Sequence, residues 1–105
     1  MATAQEWLTQ EISDLLDVGS VGLYEFSELF RSGMFSEIGN EQRLVISREV
    51  ATGFVESGRA SICQLRWPKE EVVAGPFPVY VLNDTGVWEP SGEGLYLALI
   101  PRVDR

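Results

Sequence analysis

Carboxylates are the residues of this chain best placed to do acid–base chemistry. Glu70 and Glu71 adjoin Trp67, and Glu89 and Glu93 flank Pro90, Ser91 and Gly92. Two carboxyl groups can divide such work when one environment raises a pKa and the other leaves it alone. Adjacent acids in a Pro/Gly-rich loop are more simply solvated, and the pattern predicts no catalytic site. The chain contains 0 histidines, which removes the commonest general base and the commonest metal ligand, and with them the Ser–His and Cys–His nucleophile pairs. Asp84, in Asn83-Asp84-Thr85-Gly86, lacks the repeating oxygen-ligand spacing of a calcium loop. Gly92-Glu93-Gly94 is joined by neither a P-loop lysine nor a following helix. No cofactor and no metal are expected.

The single cysteine, Cys63, cannot close a disulfide within the chain, and in an apolar strand it reads as a small buried hydrophobe. The aromatic residues of the C-terminal half are better candidates for function. Trp67, Phe77, Tyr80, Trp88 and Tyr96 cluster there, and Trp and Tyr are enriched at binding hot spots. Where one or two are exposed beside Glu70, Glu71, Glu89 or Glu93, the result is an aromatic anchor with an acidic rim. Together with two acids expected on an exposed helix face, the candidate partner-binding residues are Glu41, Glu49, Trp67, Glu70, Glu71, Trp88 and Glu89.

Charge constrains the partner. Sixteen acidic residues against 8 basic ones leave a net charge of −8. A surface of that sign repels phosphate backbones, whose binding relies on Lys and Arg displacing counterions. Nucleic acid is therefore an unfavoured partner, anionic membranes likewise, and a basic protein an allowed one. No apolar run approaches the roughly 20 residues that span a bilayer. Met1 to Trp7 carry neither the basic nor the apolar region of a signal peptide. A soluble, cytoplasmic protein is expected, and a homodimer is compatible with the sequence.

The elements that position these residues follow from periodicity. A length of 105 residues predicts one domain, 1–105, able to bury a core without metals or disulfides. Thr3 and Glu6 fit a capping box. From there Trp7, Leu8, Ile12, Leu15 and Leu16 recur at helical spacing, predicting a helix over about 4–17. Ser20 is placed to cap a second helix, about 21–32, striped by Leu23, Phe26 and Phe30 and faced outward by Glu25 and Glu28. Gly33 suits the left-handed position after its last turn. Met34, Phe35 and Ile38 tuck under a connection, and Asn40 caps a third helix, about 41–57, with Leu44, Ile46, Val50, Ala51, Phe54 and Val55 on a broad apolar arc. Its opposite face carries Glu41, Gln42, Arg48, Glu49, Thr52 and Glu56.

Beyond Gly58, alternation predicts strands over about 60–67, 79–82, 87–88 and 95–100. Residues 69–71 begin an exposed connection, Gly75-Pro76-Phe77-Pro78 makes a stiff corner, and the last strand, apolar on both faces, belongs in the sheet interior. Three N-terminal helices followed by a small antiparallel sheet define an α+β fold.

Leu44 to Val55 as a third helix, the turn Glu56-Ser57-Gly58-Arg59 and the strand Ala60 to Trp67 resemble the winged-helix branch of the helix-turn-helix superfamily. The likeness covers residues 4–67 and the last strand. It implies a winged-helix-like shape, and in DNA-binding members a third-helix face bearing Arg, Lys, Asn or Gln. Here that face offers Glu41, Glu49 and Glu56 against Arg48, and residues 68–94 are much longer than a simple wing tip.

The leading expectation is a non-catalytic, acidic protein-interaction module, in concrete form an inhibitor or immunity-type protein that covers a basic partner. The alternatives are a winged-helix DNA-binding regulator using Arg43, Arg48, Arg59 and Arg66, a globular domain with a small-molecule ligand, and an enzyme working through carboxylates alone.

Overall fold

A computed structural model of the protein describes residues 3–33, 35, 37–69 and 71–102. Its first helix, α1 (Ala4–Leu16), starts where the capping box predicts. The Thr3 backbone N–H donates to Glu6 Oε1 at 3.0 Å, and the Glu6 N–H donates to Thr3 Oγ1 at 3.1 Å. Leu8, Ile12 and Leu16, four residues apart, form its buried stripe, whereas Leu15 is exposed.

The chain then differs from the expected second helix. Val21–Gly22 is a short strand, β1, and α2 runs only from Tyr24 to Ser32. Ser20 is not the N-cap of this helix: that position is Leu23, without a side-chain hydrogen bond. Glu25 supplies the compensation. Rather than facing outward, it is half-buried, and its carboxylate accepts from the Gly22 N–H at 2.6 Å. Phe26 and Phe30 are fully buried, each worth about 1.5–3 kcal/mol of transfer free energy.

Gly33 is also corrected. Its φ of −100° and ψ of −177° are extended, not left-handed. The position needs a glycine for room, because a Cβ there would strike the indole of Trp7. That indole packs between Phe30 and Phe35, at centroid distances of 5.6 and 5.5 Å. Phe35 and Ile38 pack against the core as expected, while Met34 lies outside the described residues.

Helix α3 (Asn40–Glu56) has Gly39 at its N-cap, so Asn40 is the first helical residue and not the cap. Ile46, Val50, Ala51 and Phe54 are buried, and Ser47 lies buried among them. The helix packs on α1, on α2 and on the sheet. Gly58 takes a φ of +80°, and Arg59 N–H donates to the Phe54 carbonyl at 3.0 Å as the chain enters β2 (Ala60–Arg66).

The sheet is antiparallel and four-stranded, in the order β1-β4-β2-β3, where β3 is Glu71–Phe77 and β4 is Leu95–Pro101. β2 and β4 pair along their whole length, from Ala60 opposite Pro101 to Arg66 opposite Leu95. β1 pairs with β4 through Val21–Leu99 and Gly22–Ala98, so the doubly apolar β4 is interior, as its pattern predicts. Ala60, Ile62 and Leu99 join the helices in the main core, and Leu97 packs against it. Leu65, Tyr96 and Ala98 form a smaller cluster with Tyr24 and Ile100.

Residues 71–94 hold the largest departures. The expected connection and stiff corner are instead the edge strand β3, with register shifts around Gln64. An edge strand tolerates Pro76, which has no N–H to give, and Gly75 bends the strand at a φ of +118°. The expected strands at 79–82 and 87–88 are two 3₁₀ turns, Val79–Asn83 and Thr85–Trp88. Among the described residues no helix is long and apolar enough to cross a membrane.

Candidate functional site

The two 3₁₀ turns do not pair with the sheet, and the first is tied to α3 at one carbonyl. Arg48 Nε donates to the Leu82 carbonyl at 3.0 Å, and Trp88 Nε1 donates to the same oxygen at 3.0 Å. The Trp88 ring meets Phe26 edge-on, with centroids 5.4 Å apart. Asp84 caps the second turn, its Oδ1 accepting from the Gly86 N–H at 2.9 Å. Ser91 closes the loop into β4: its N–H donates to the Leu95 carbonyl at 2.8 Å, and its hydroxyl accepts from the Leu95 N–H at 3.2 Å. Segment 79–91 is thus a fixed flap over the distal end of the sheet.

Between flap and sheet lies a cleft of about 580 Å³. Gln64, Leu95, Tyr96 and Leu97 contribute from the sheet, Phe77 from the end of β3, and Tyr80, Val81, Asp84, Gly86, Val87, Glu89, Pro90 and Ser91 from the flap. Tyr80 is 70% exposed despite its size. Asp84 and Glu89 are exposed carboxylates, and among the described residues no Lys or Arg lines the cleft. Its character is therefore aromatic and anionic.

A second cleft, of about 530 Å³, runs between α2 and α3 on the other side of the flap. Arg31, Arg43, Ser27, Asn40 and Ser47 line it with Trp88 and Glu89. Two cations face one carboxylate there, so its electrostatics oppose those of the first cleft. Glu89 borders both.

The residues singled out by sequence are distributed as follows. Glu41 and Glu49 are exposed on α3, and Glu49 borders a shallow groove with Gln5, Thr9, Phe54 and Arg59. Trp67 is 63% exposed where β2 ends, and Val72, 54% exposed, lies nearby on β3. Glu71 is exposed opposite Arg66 in the β2–β3 pair, and Glu70 lies outside the described residues. Trp88 is a buried core residue, and its N–H donates to the Leu82 carbonyl. Among the described residues of the set, Glu89 alone borders the aromatic cleft, where it is joined by Phe77, Tyr80, Asp84 and Tyr96.

Cys63 is buried, and desolvation pushes its thiol above the ordinary cysteine range. Three of the four arginines grouped by sequence make intramolecular contacts. Arg43 lies over the Phe30 ring at 5.9 Å, Arg48 holds Leu82, and Arg59 lies over Phe54 at 4.8 Å while donating to Ser13 Oγ at 2.8 Å. Among the described residues no three His, Cys, Asp or Glu side chains converge into a metal-ligand group. Gln64 and the 3₁₀ conformation of 79–88 had no signal in the sequence, since Val79-Tyr80-Val81-Leu82 has the composition of a strand.

Compared with protein-family models, curated proteins and solved structures, the chain matches none.

Proposed function

We propose that this protein is a non-catalytic interaction module that binds a basic protein partner, acting in the manner of an inhibitor or immunity-type protein. The observation that carries this reading is the aromatic cleft bordered by Asp84 and Glu89, with no Lys or Arg among the described residues lining it, on a chain of net charge −8. Opposite potentials steer encounter and reject wrong partners, while exposed aromatics supply contact area at low entropic cost. The lone buried thiol suits a reducing cytoplasm as the working compartment.

The winged-helix shape is part of the same proposal. Its support is the passage from α3 through Gly58 into β2, and the antiparallel partners that β2 finds in β3 and β4. A DNA-reading role is the weaker one, because Arg43, Arg48 and Arg59 lie against Phe30, Leu82 and Phe54.

The test begins with affinity capture from the source cell's lysate at low salt, followed by salt elution. The eluted protein is then purified, and its binding is measured by calorimetry at two ionic strengths. A basic protein whose affinity falls with salt, and whose own activity is suppressed on binding, is the expected result. Capture of nucleic acid alone, or saturable binding of mixed-sequence duplex at low salt, would overturn the reading in favour of the regulator.

A further inference from the structure

We infer that the cleft beneath Tyr80 receives an arginine side chain carried on an extended segment of a protein partner. The inference rests on the proposed basic partner and specifies how that partner is held.

A guanidinium group makes two demands at once. Its flat faces are weakly hydrated and stack on aromatic rings, and its edge seeks carboxylate oxygens. The cleft brings both features together: Phe77 and Tyr80 give aromatic surface, and Asp84 and Glu89 give carboxylates, while the Tyr96 ring is taken up by Tyr24. Because no Lys or Arg among the described residues lines the cleft, an incoming cation meets no like charge from them. The α2–α3 cleft, with Arg31 and Arg43 in its lining, has the wrong sign for the same guest.

The site is also held in shape before the guest arrives. The Gly86 N–H holds one oxygen of Asp84, and the flap that carries Tyr80 and Glu89 is fixed to α3 through Leu82. Little ordering remains to oppose binding. The volume of about 580 Å³ exceeds one side chain and falls within the range of about 300–1,000 Å³ usual for ligand sites, which leaves room for the flanking backbone. A lysine would satisfy the carboxylates but not the rings, so the cleft favours arginine.

The experiment is a ¹⁵N-resolved amide titration of the full chain with three blocked pentapeptides, identical except for a central arginine, lysine or citrulline. Saturable shifts confined to residues 77–97 and Gln64 are expected, strongest for arginine, weaker for lysine and weakest for neutral citrulline. Tyr80→Ala and Asp84→Asn should each weaken arginine-peptide binding at least about threefold. Both should keep the native spectrum, because Tyr80 is exposed and Asn also caps helical turns.

Equal response to arginine and citrulline, shifts centred on the α3 acids, or free arginine amide binding as tightly as the peptide would overturn the inference. Full-strength, salt-sensitive capture of a basic partner by Tyr80→Ala would also overturn it, while leaving the proposed function standing. Failure of the wild-type chain to retain any basic partner would remove the function itself.

Discussion

Arg48 and Trp88 meet at a single acceptor. The side-chain N–H groups of both donate to the carbonyl of Leu82, each at 3.0 Å, one reaching from α3 and the other from within the flap. Leu82 is buried, so its carbonyl depends on these donors in place of water. This junction ties the first turn to α3 next to Val81, which lines the aromatic cleft.

A double-mutant cycle reads that junction. Arg48→Met should cost about 1 kcal/mol, since Trp88 still serves the carbonyl, and Trp88→Phe about 2 kcal/mol. The double variant should lose more than the sum, because only then is the buried carbonyl orphaned. Urea midpoints of the four proteins measure it, and simple additivity would show that the donors do not share a load.

Gly33→Ala tests close approach and not backbone strain. The new methyl would stand about 2.6 Å from Trp7 Cη2 and 2.8 Å from the Leu29 carbonyl oxygen, so the indole must move. A loss of about 1–3 kcal/mol is expected, with a shift in Trp7 emission. An unchanged denaturation midpoint and spectrum would place the ring elsewhere.

The tryptophans should divide by solvent access. Trp67, at 63% exposure, should account for most acrylamide quenching, and Trp88, at 8%, for little. Trp67→Phe should abolish the readily quenched component and change stability by less than about 0.5 kcal/mol. Persistence of that component in Trp67→Phe would contradict this placement.

Acid should weaken the start of α1. The Thr3 backbone N–H and side chain hold the Glu6 carboxyl below its ordinary pKa. A carboxyl depressed in the folded state contributes stability above its unfolded pKa, about 4.3, and that contribution disappears as pH falls through the lower folded value. Glu6→Gln keeps a capping side chain but no titrating group, so its midpoint should vary less than wild type's between about pH 5 and 3. Identical acid profiles would show that the carboxylate contributes nothing to folding.

Local physics made the helices legible. Thr3 and Glu6, the Leu8–Ile12–Leu16 stripe and the Ile46–Phe54 arc act over a few residues, and their spacing is written directly in the chain. The same is true of β2 and β4, whose short apolar runs and bounding Gly and Pro residues need no distant partner to be recognised. The acids and aromatics of the cleft were visible as types: Glu89, Phe77 and Tyr80 stood out on chemistry alone, whereas Asp84 was weighed only as a calcium ligand and set aside.

What lay outside the sequence depends on partners far along the chain. Val21–Gly22 is too short to show a period and is a strand only because β4 offers its edge. Residues 71–77 contain Gly75 and Pro76, which argue for a corner until an edge position makes both acceptable. Val79 to Leu82 has the composition of a strand, yet it forms a 3₁₀ turn whose Leu82 carbonyl is held by Arg48 and Trp88. Trp88 and Tyr80, equal as candidates by residue type, separate into core and surface on that account. Propensity and periodicity are short-range terms; long-range hydrogen-bond partners and burial decided the flap, the edge strand and the cleft between them.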